Sequence, residues 1–168
     1  MTGMLEGKVI LVTGGSTGIG RATSRILARE GATVVVADLQ DAAGEETVAA
    51  VQAAGGRAEY RHLDVGDHAA VRALVADIAA RHGGLDGAFN NAGIEGPTAK
   101  ILELPPADWD RVLRVNLTGV YACMQAEVEQ MMKQKRGGAI VSTSSGAGLI
   151  GIPGAAAYNS SKHGVVGL

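Results

Sequence analysis

Cysteine, aromatic residues and long apolar runs are all scarce in this chain, and each scarcity closes off a class of protein. The one cysteine, Cys123, cannot form an internal disulfide. It reads as a small buried apolar residue in a reducing compartment. With three tyrosines, one tryptophan and one phenylalanine against 46% hydrophobic residues and 25 glycines, the profile is an Ala/Val/Gly-rich globular one. No apolar run approaches the ~20 residues of a membrane span, and the first eight residues lack the apolar core of a signal peptide. The expectation is a soluble, cytoplasmic protein with no membrane partner. The net charge of -2 is scattered along the chain. The longest basic cluster, Lys133-Gln-Lys135-Arg136, is short and reads as a solvated helix end, so no nucleic-acid partner is expected. His62, His68, His82 and His163 show no metal-ligand spacing, and no metal site is expected.

What is present alternates. Val9-Ile10-Leu11-Val12 is short, apolar and β-branched, as suits a strand buried on both faces. Helical spacing follows from Ile19 to Ala28 and stops at Glu30-Gly31. Residues 33–37 form a second strand closed by Asp38. A helix from about Ala42 to Ala54 and a less apolar third strand from Arg57 to His62, nearer the sheet edge, come next. Asp67 caps a helix running from about Ala69 to His82. Leu85 to Phe89 predicts a fourth strand, ending at Asn90-Asn91-Ala92-Gly93. One long helix is predicted from Trp109 to about Lys135, and Ala139-Ile140-Val141 is a fifth strand. This is a series of βα units in one domain spanning 1–168, an α/β, doubly wound parallel sheet with helices on both faces.

Three loops carry chemistry. Thr13-Gly14-Gly15-Ser16-Thr17-Gly18-Ile19-Gly20 joins the first strand to the first helix. There an open parallel sheet offers backbone N–H groups and a helix N-terminus to a phosphate. The spacing Gly-x-x-x-Gly-x-Gly differs from the common Gly-x-Gly-x-x-Gly fingerprint, and no Gly-Lys-Ser/Thr of a nucleotide-hydrolysing loop is present. Asp38 ends the second strand, where a carboxylate accepts hydrogen bonds from an adenosine ribose and repels a 2′-phosphate; this points to NAD rather than NADP. Arg21 argues in the other direction, as a basic residue close enough to the loop to meet a phosphate. Asp64 and the turn at residues 90–93 follow neighbouring strands and face the same crevice. The third loop is Ser144 to Lys162. Tyr158 and Lys162 stand four apart on a helix starting near Ala156, hence on one face. An ammonium there favours the phenolate and suits the tyrosine to acid–base work. Asn116, inside the long helix, has poor helix propensity and needs a specific partner.

Taken in order and spacing, Thr13-Gly14-x-x-x-Gly18-Ile19-Gly20, Asp64-Val65, Asn90-Asn91-Ala92-Gly93, Asn116, Ser145 and Tyr158-x-x-x-Lys162 resemble the short-chain dehydrogenase/reductase family. The resemblance runs from about Lys8 to the last residue. It implies a Rossmann-type sheet, with strand order 3-2-1-4-5 for the strands present, and NAD(P)-dependent oxidation of an alcohol or reduction of a ketone. It also implies a dimer or tetramer packed through the helices that begin near Trp109 and Ala156. By the same resemblance Tyr158 is the acid/base and Lys162 lowers its pKa and holds the nicotinamide ribose. Ser145, ahead of Ser144, binds the substrate oxygen, and Asn116 positions a water behind Lys162. Gly14, Ser16, Thr17, Gly18, Ile19 and Gly20 surround the pyrophosphate, Asp38 the ribose, Asp64 and Val65 the adenine, and Asn91, Ala92 and Gly93 the cofactor cleft. Family members run longer than this chain, which stops six residues after Lys162. The expectation is therefore a piece of a longer NAD-dependent dehydrogenase, truncated at its C-terminus. The alternative is a non-catalytic Rossmann module that binds nucleotide or a partner without turnover.

Overall fold

The computed structural model describes residues 3–168. The elements are β1 (Val9–Thr13), α1 (Gly18–Arg29), β2 (Thr33–Asp38), α2 (Asp41–Ala53), β3 (Arg57–His62), α3 (His68–His82) and β4 (Gly87–Asn90). Then come α4 (Pro106–Leu113), a π-helical turn (Arg114–Thr118), α5 (Gly119–Lys133), β5 (Ala139–Ser142), a short 3-10 turn (Gly146–Gly148) and α6 (Ala156–Gly167). All strand pairs are parallel, in the order β3-β2-β1-β4-β5. This is the Rossmann-type order expected from the sequence.

Alternating side chains of the central strands serve two cores. Leu11 and Val35 point to the face covered by α3 and α5, with Val71, Leu74, Ile78, Cys123 and Met131. Ile10, Val12, Val34 and Val36 point to the other, with Ala28, Val48 and Val51 of α1 and α2. A strand buried on both faces needs apolar residues at every position, which is why β1 reads Val-Ile-Leu-Val without alternation. β3, with Arg57, Glu59 and Arg61, can afford polar positions because it lies at the edge. Asp67 caps α3 by accepting from the N–H groups of Ala69 and Ala70, at 3.0 and 3.1 Å. Gly83, left-handed at φ 77°, ends it.

Two differences from the sequence reading have a clear physical cause. β4 begins at Gly87, not Leu85. Leu85 is fully buried, but the Gln134 side chain, rather than a neighbouring strand, binds both its N–H and its carbonyl. The single helix from Trp109 to about Lys135 is α4 and α5 separated by the π-helical turn. That turn is centred on Asn116, whose buried amide is committed to backbone outside the helix. A local widening of the helical ladder is what such a commitment accommodates. Among the described residues, no helix is long and apolar enough to cross a membrane.

Candidate active site

The carboxyl ends of β1, β2, β3 and β4 open onto a cleft of about 380 Å³. Its wall begins at Gly14, which is left-handed at φ 62° and so close to the next strand's turn that a Cβ would stand 2.8 Å from Ala92 Cα. At Gly20 a Cβ would overlap the Gly14 carbonyl oxygen. The glycine spacing is therefore set by how tightly this loop folds onto itself and onto the turn after β4. Thr17 precedes α1 without a side-chain cap. The first-turn N–H groups of α1, at the positive end of its dipole, thus have no side chain satisfying them, and Thr17, Gly18 and Ile19 line the cleft.

Asp38 stands on the opposite wall with Leu39 and Gln40. Its carboxylate accepts from the N–H of Ser16 at 3.1 Å and of Gln40 at 3.2 Å, and the Tyr60 hydroxyl donates to its carbonyl at 2.7 Å. Ser16 itself is fully buried and ties the glycine loop to the end of β2, outside the cleft lining. Arg21 does not turn toward the cleft. Its guanidinium donates to the Ser16 carbonyl and the Thr47 hydroxyl, both at 2.8 Å, and reaches the Ala43 carbonyl and Glu46. The expectation that Arg21 could meet a phosphate is corrected: it joins α1 to α2.

Leu63, Asp64, Val65 and Val115 close the far end. Burial alone would raise the Asp64 carboxyl, but the Arg114 guanidinium at 2.9 Å and the Gly66 N–H at 2.8 Å outweigh it and hold it below the usual carboxylate range. The floor is Asn91, Ala92, Gly93 and Ile94. Thr13 organises it. Its buried hydroxyl accepts from the N–H of Asn91 at 3.1 Å and of Ala92 at 3.2 Å. The Asn91 amide donates in turn to the carbonyls of Thr13 and Gly14. Thus the two strand-end loops are sewn together.

Beyond the floor lie the residues of the third sequence loop. Lys162, on α6, is 3% exposed, and its ammonium donates to the Thr143 carbonyl at 2.8 Å. Burial holds its pKa below the ordinary lysine value. The ammonium stands 5.7 Å from the Tyr158 ring centroid. Asn116 is fully buried; its Oδ1 accepts from the Ile94 N–H and its Nδ2 donates to the Ile94 carbonyl, both at 2.8 Å. It also donates to the Ser161 hydroxyl at 3.2 Å. Gly93 passes beside both groups: a Cβ there would be 3.3 Å from Asn116 Oδ1 and 3.7 Å from Lys162 Nζ. Ser145 opens the 3-10 turn and accepts from the Ala147 N–H at 3.1 Å. The Ser144 hydroxyl instead donates to the Lys162 carbonyl at 3.0 Å, anchoring α6.

Of the residues singled out in the sequence, the fold brings Gly14, Thr17, Gly18, Ile19, Asp38, Asp64, Val65, Asn91, Ala92 and Gly93 to one cleft. Asn116, Tyr158 and Lys162 gather next to its Gly93 end, and Ser145 lies on the turn that packs against α6. Gly20 and Ser16 shape the loop from behind. Sequence reasoning missed Thr143, which acts through a backbone carbonyl and leaves no side-chain signal. It quoted Thr13 as part of the glycine loop without giving it a role of its own, and it passed over Ser161 and Arg114. Among the described residues, no three His, Cys, Asp or Glu side chains stand together as a metal site would need.

A parallel sheet in this order, with a glycine loop at the β1–β4 switch point, defines the chain as a Rossmann-type α/β protein. It belongs to the short chain dehydrogenase family, whose model matches residues 8–168. It is 44% identical over 164 residues to a 2,5-dichloro-2,5-cyclohexadiene-1,4-diol dehydrogenase of Sphingobium indicum, covering 98% of this chain and 64% of that protein. It is 46% identical over 166 residues to a 3beta-hydroxysteroid dehydrogenase of Mediterraneibacter gnavus, covering 99% of this chain and 59% of that protein. Among solved structures it resembles NAD+-bound xylitol dehydrogenase with a TM-score of 0.94 at 38% identity, over 98% of this chain and 63% of that one. The chain therefore spans about 59–64% of the length of these curated relatives.

Proposed function

We propose that this chain carries the NAD-binding and catalytic residues of an oxidoreductase that transfers a hydride between NAD(H) and a secondary alcohol or ketone. The observation that carries the reading is the buried Lys162 ammonium, 5.7 Å from the Tyr158 ring and beside the Gly93 end of the cleft. The Thr143 carbonyl holds that cation beside the tyrosine, at the end of the cleft. Tyr158 is then the acid/base that exchanges a proton with the substrate oxygen. Ser145 binds that oxygen and steadies its developing charge. Asn116 is committed through its side chain to Ile94 and Ser161, so its role in the proton relay is to position the wall beside Lys162 and a water behind it.

NAD, when bound, supplies the hydride acceptor or donor. The residues present suit it. The α1 N-terminus offers N–H groups to a pyrophosphate, with Ile19 and Gly20 completing its loop. Asp38 offers a carboxylate to ribose hydroxyls, and Asp64 and Val65 border the adenine end. Asp38 disfavours a 2′-phosphate, and Arg21 is occupied elsewhere.

The names of the relatives support a cyclic secondary alcohol as the first substrates to try. The test is the appearance of NADH absorbance when the full protein is mixed with NAD and a panel of cycloalkanols and hydroxysteroids. A protein that binds NAD tightly yet reduces none of it across the panel, and oxidises no NADH with the matching ketones, would overturn the oxidoreductase reading. The exposed apolar residues Tyr121, Val128 and Met132 of α5 and Val166 of α6 support a homo-oligomer, a dimer or tetramer, built through these helices. A monomer in light scattering would count against it. The free, buried Cys123 supports a reducing compartment, the cytoplasm; recovery of the native protein in a secreted fraction would oppose this.

A further inference from the structure

Glu127 lies on α5, one turn after Cys123, and is fully buried. Its Oε2 accepts from the Asn90 amide nitrogen at 2.8 Å. The remaining oxygens of the same two side chains, Glu127 Oε1 and Asn90 Oδ1, are the buried side-chain atoms left without a hydrogen-bond partner among the described residues. Both are acceptors. An ionised carboxylate facing an amide is thus one donor short, and a single proton on Glu127 supplies it. The acid O–H can then donate while the amide N–H donates back, a reciprocal pair with no orphan.

Among the described residues, no cation pairs with Glu127. α3 turns the apolar Val71, Leu74, Val75 and Ile78 toward this layer. Arg72 of α3 is bound to Gln125 and Glu129 at the exposed rim, and Arg114 of the π-helical turn to Asp64. β4 presents Ala88 and Asn90, β5 presents Ile140, and on α5 itself the facing titratable group is the Cys123 thiol. Burial accordingly pushes the Glu127 carboxyl up to about 7, against the lowering effect of the Asn90 N–H.

The position of this pair gives it a consequence. Asn90 is the last residue of β4, paired with Thr13 on one side and Ser142 on the other. The chain passes straight from it into Asn91, Ala92 and Gly93, which floor the cleft. We propose that Glu127 is a positioning residue: as a neutral acid it closes a reciprocal hydrogen-bonded pair with Asn90 and so fixes the turn that floors the nucleotide cleft, and loss of its proton loosens that turn. The nucleotide half of this rests on the function proposed above.

Glu127→Gln tests it, because the amide supplies the missing donor without a titratable proton. Wild type is expected to melt roughly 5–10 °C lower at pH 8.5 than at pH 5.5, relative to the same comparison in E127Q. Calorimetric NADH binding should likewise weaken with pH several-fold more in wild type than in E127Q. Equal pH slopes in the two proteins would overturn the proposal. If E127Q does not fold, carbon NMR of wild type with labelled glutamate carboxyls decides. One glutamate titrating near neutral pH supports the proposal, and none doing so sinks it. Failure of both proteins to bind NADH at every pH would instead remove the proposed function, leaving the melting comparison to judge Glu127.

Discussion

The Lys162 ammonium donates to the Thr143 carbonyl at 2.8 Å, from a side chain that is 3% exposed. Thr143 follows β5 directly, and Lys162 is in the second turn of α6, so this bond fixes α6 to the end of the sheet. Its own carbonyl accepts from the Ser144 hydroxyl at 3.0 Å, which closes the link from the other side. The lysine is consequently held with its ammonium 5.7 Å from the centre of the Tyr158 ring.

Tyr158→Phe removes the proposed proton carrier and little else, since the ring remains beside Lys162. Turnover is expected to fall about 10³-fold, the scale of general acid–base catalysis, with the NADH dissociation constant nearly unchanged. Steady-state kinetics paired with calorimetry on the full protein checks this, and a retained kcat would remove Tyr158 from the role.

Asp38→Asn keeps the shape of the ribose site and removes its charge. The wild-type preference for NADH over NADPH is expected to shrink by about tenfold, since hydrogen bonds to charged groups contribute about 1.5–3 kcal/mol. Calorimetric titration of both cofactors measures it. A wild type that binds NADPH more tightly would refute the assignment of NAD.

Gly20→Ala places a methyl group against the Gly14 carbonyl oxygen. Because that contact is with backbone, the loop has to move. Loss of nucleotide binding is expected while the far-ultraviolet circular dichroism of the helices stays close to wild type. Unaltered NADH affinity would show that the loop does not hold the pyrophosphate.

Asn116→Ala strips the partners from the Ile94 N–H and carbonyl. Leaving such half-buried groups unpaired costs up to about 1–3 kcal/mol each, so the protein is expected to unfold at roughly 5–15 °C lower temperature. Thermal melts followed by fluorescence of Trp109 measure the change. A shift of less than a degree would mean that water replaces the amide without loss.

The alternation of strand and helix was legible because each element carries its own period: Val9-Ile10-Leu11-Val12 suits a strand between two layers, and Gly83 suits the left-handed end of a helix. The cofactor loop was legible for the same reason, as its glycines answer a local steric demand. Arg21 was misread because its charge is visible in the sequence, whereas its partners on α2, Ala43, Thr47 and Glu46, are brought to it only by packing. The long helix was overextended because a π-helical turn keeps helical spacing of apolar residues on either side. Asn116 marked the spot, but its partner Ile94 lies 22 residues away.

The sequence by itself determined the order of elements, the glycine loop, Asp38 at a strand end, and the Ser145, Tyr158 and Lys162 set, because these depend on residue type and short-range spacing. Only the tertiary structure decided which charges are free and which are spent, that Thr143 lends its carbonyl to Lys162, and that Glu127 is buried. In the sequence, Glu127 and Glu129 are two acids on one helix. Folding turns Glu129 outward to Arg72 and Lys133 and leaves Glu127 facing Asn90 without a cation. The difference is solvent access and partner distance, quantities that exist only once the helix has chosen its buried face.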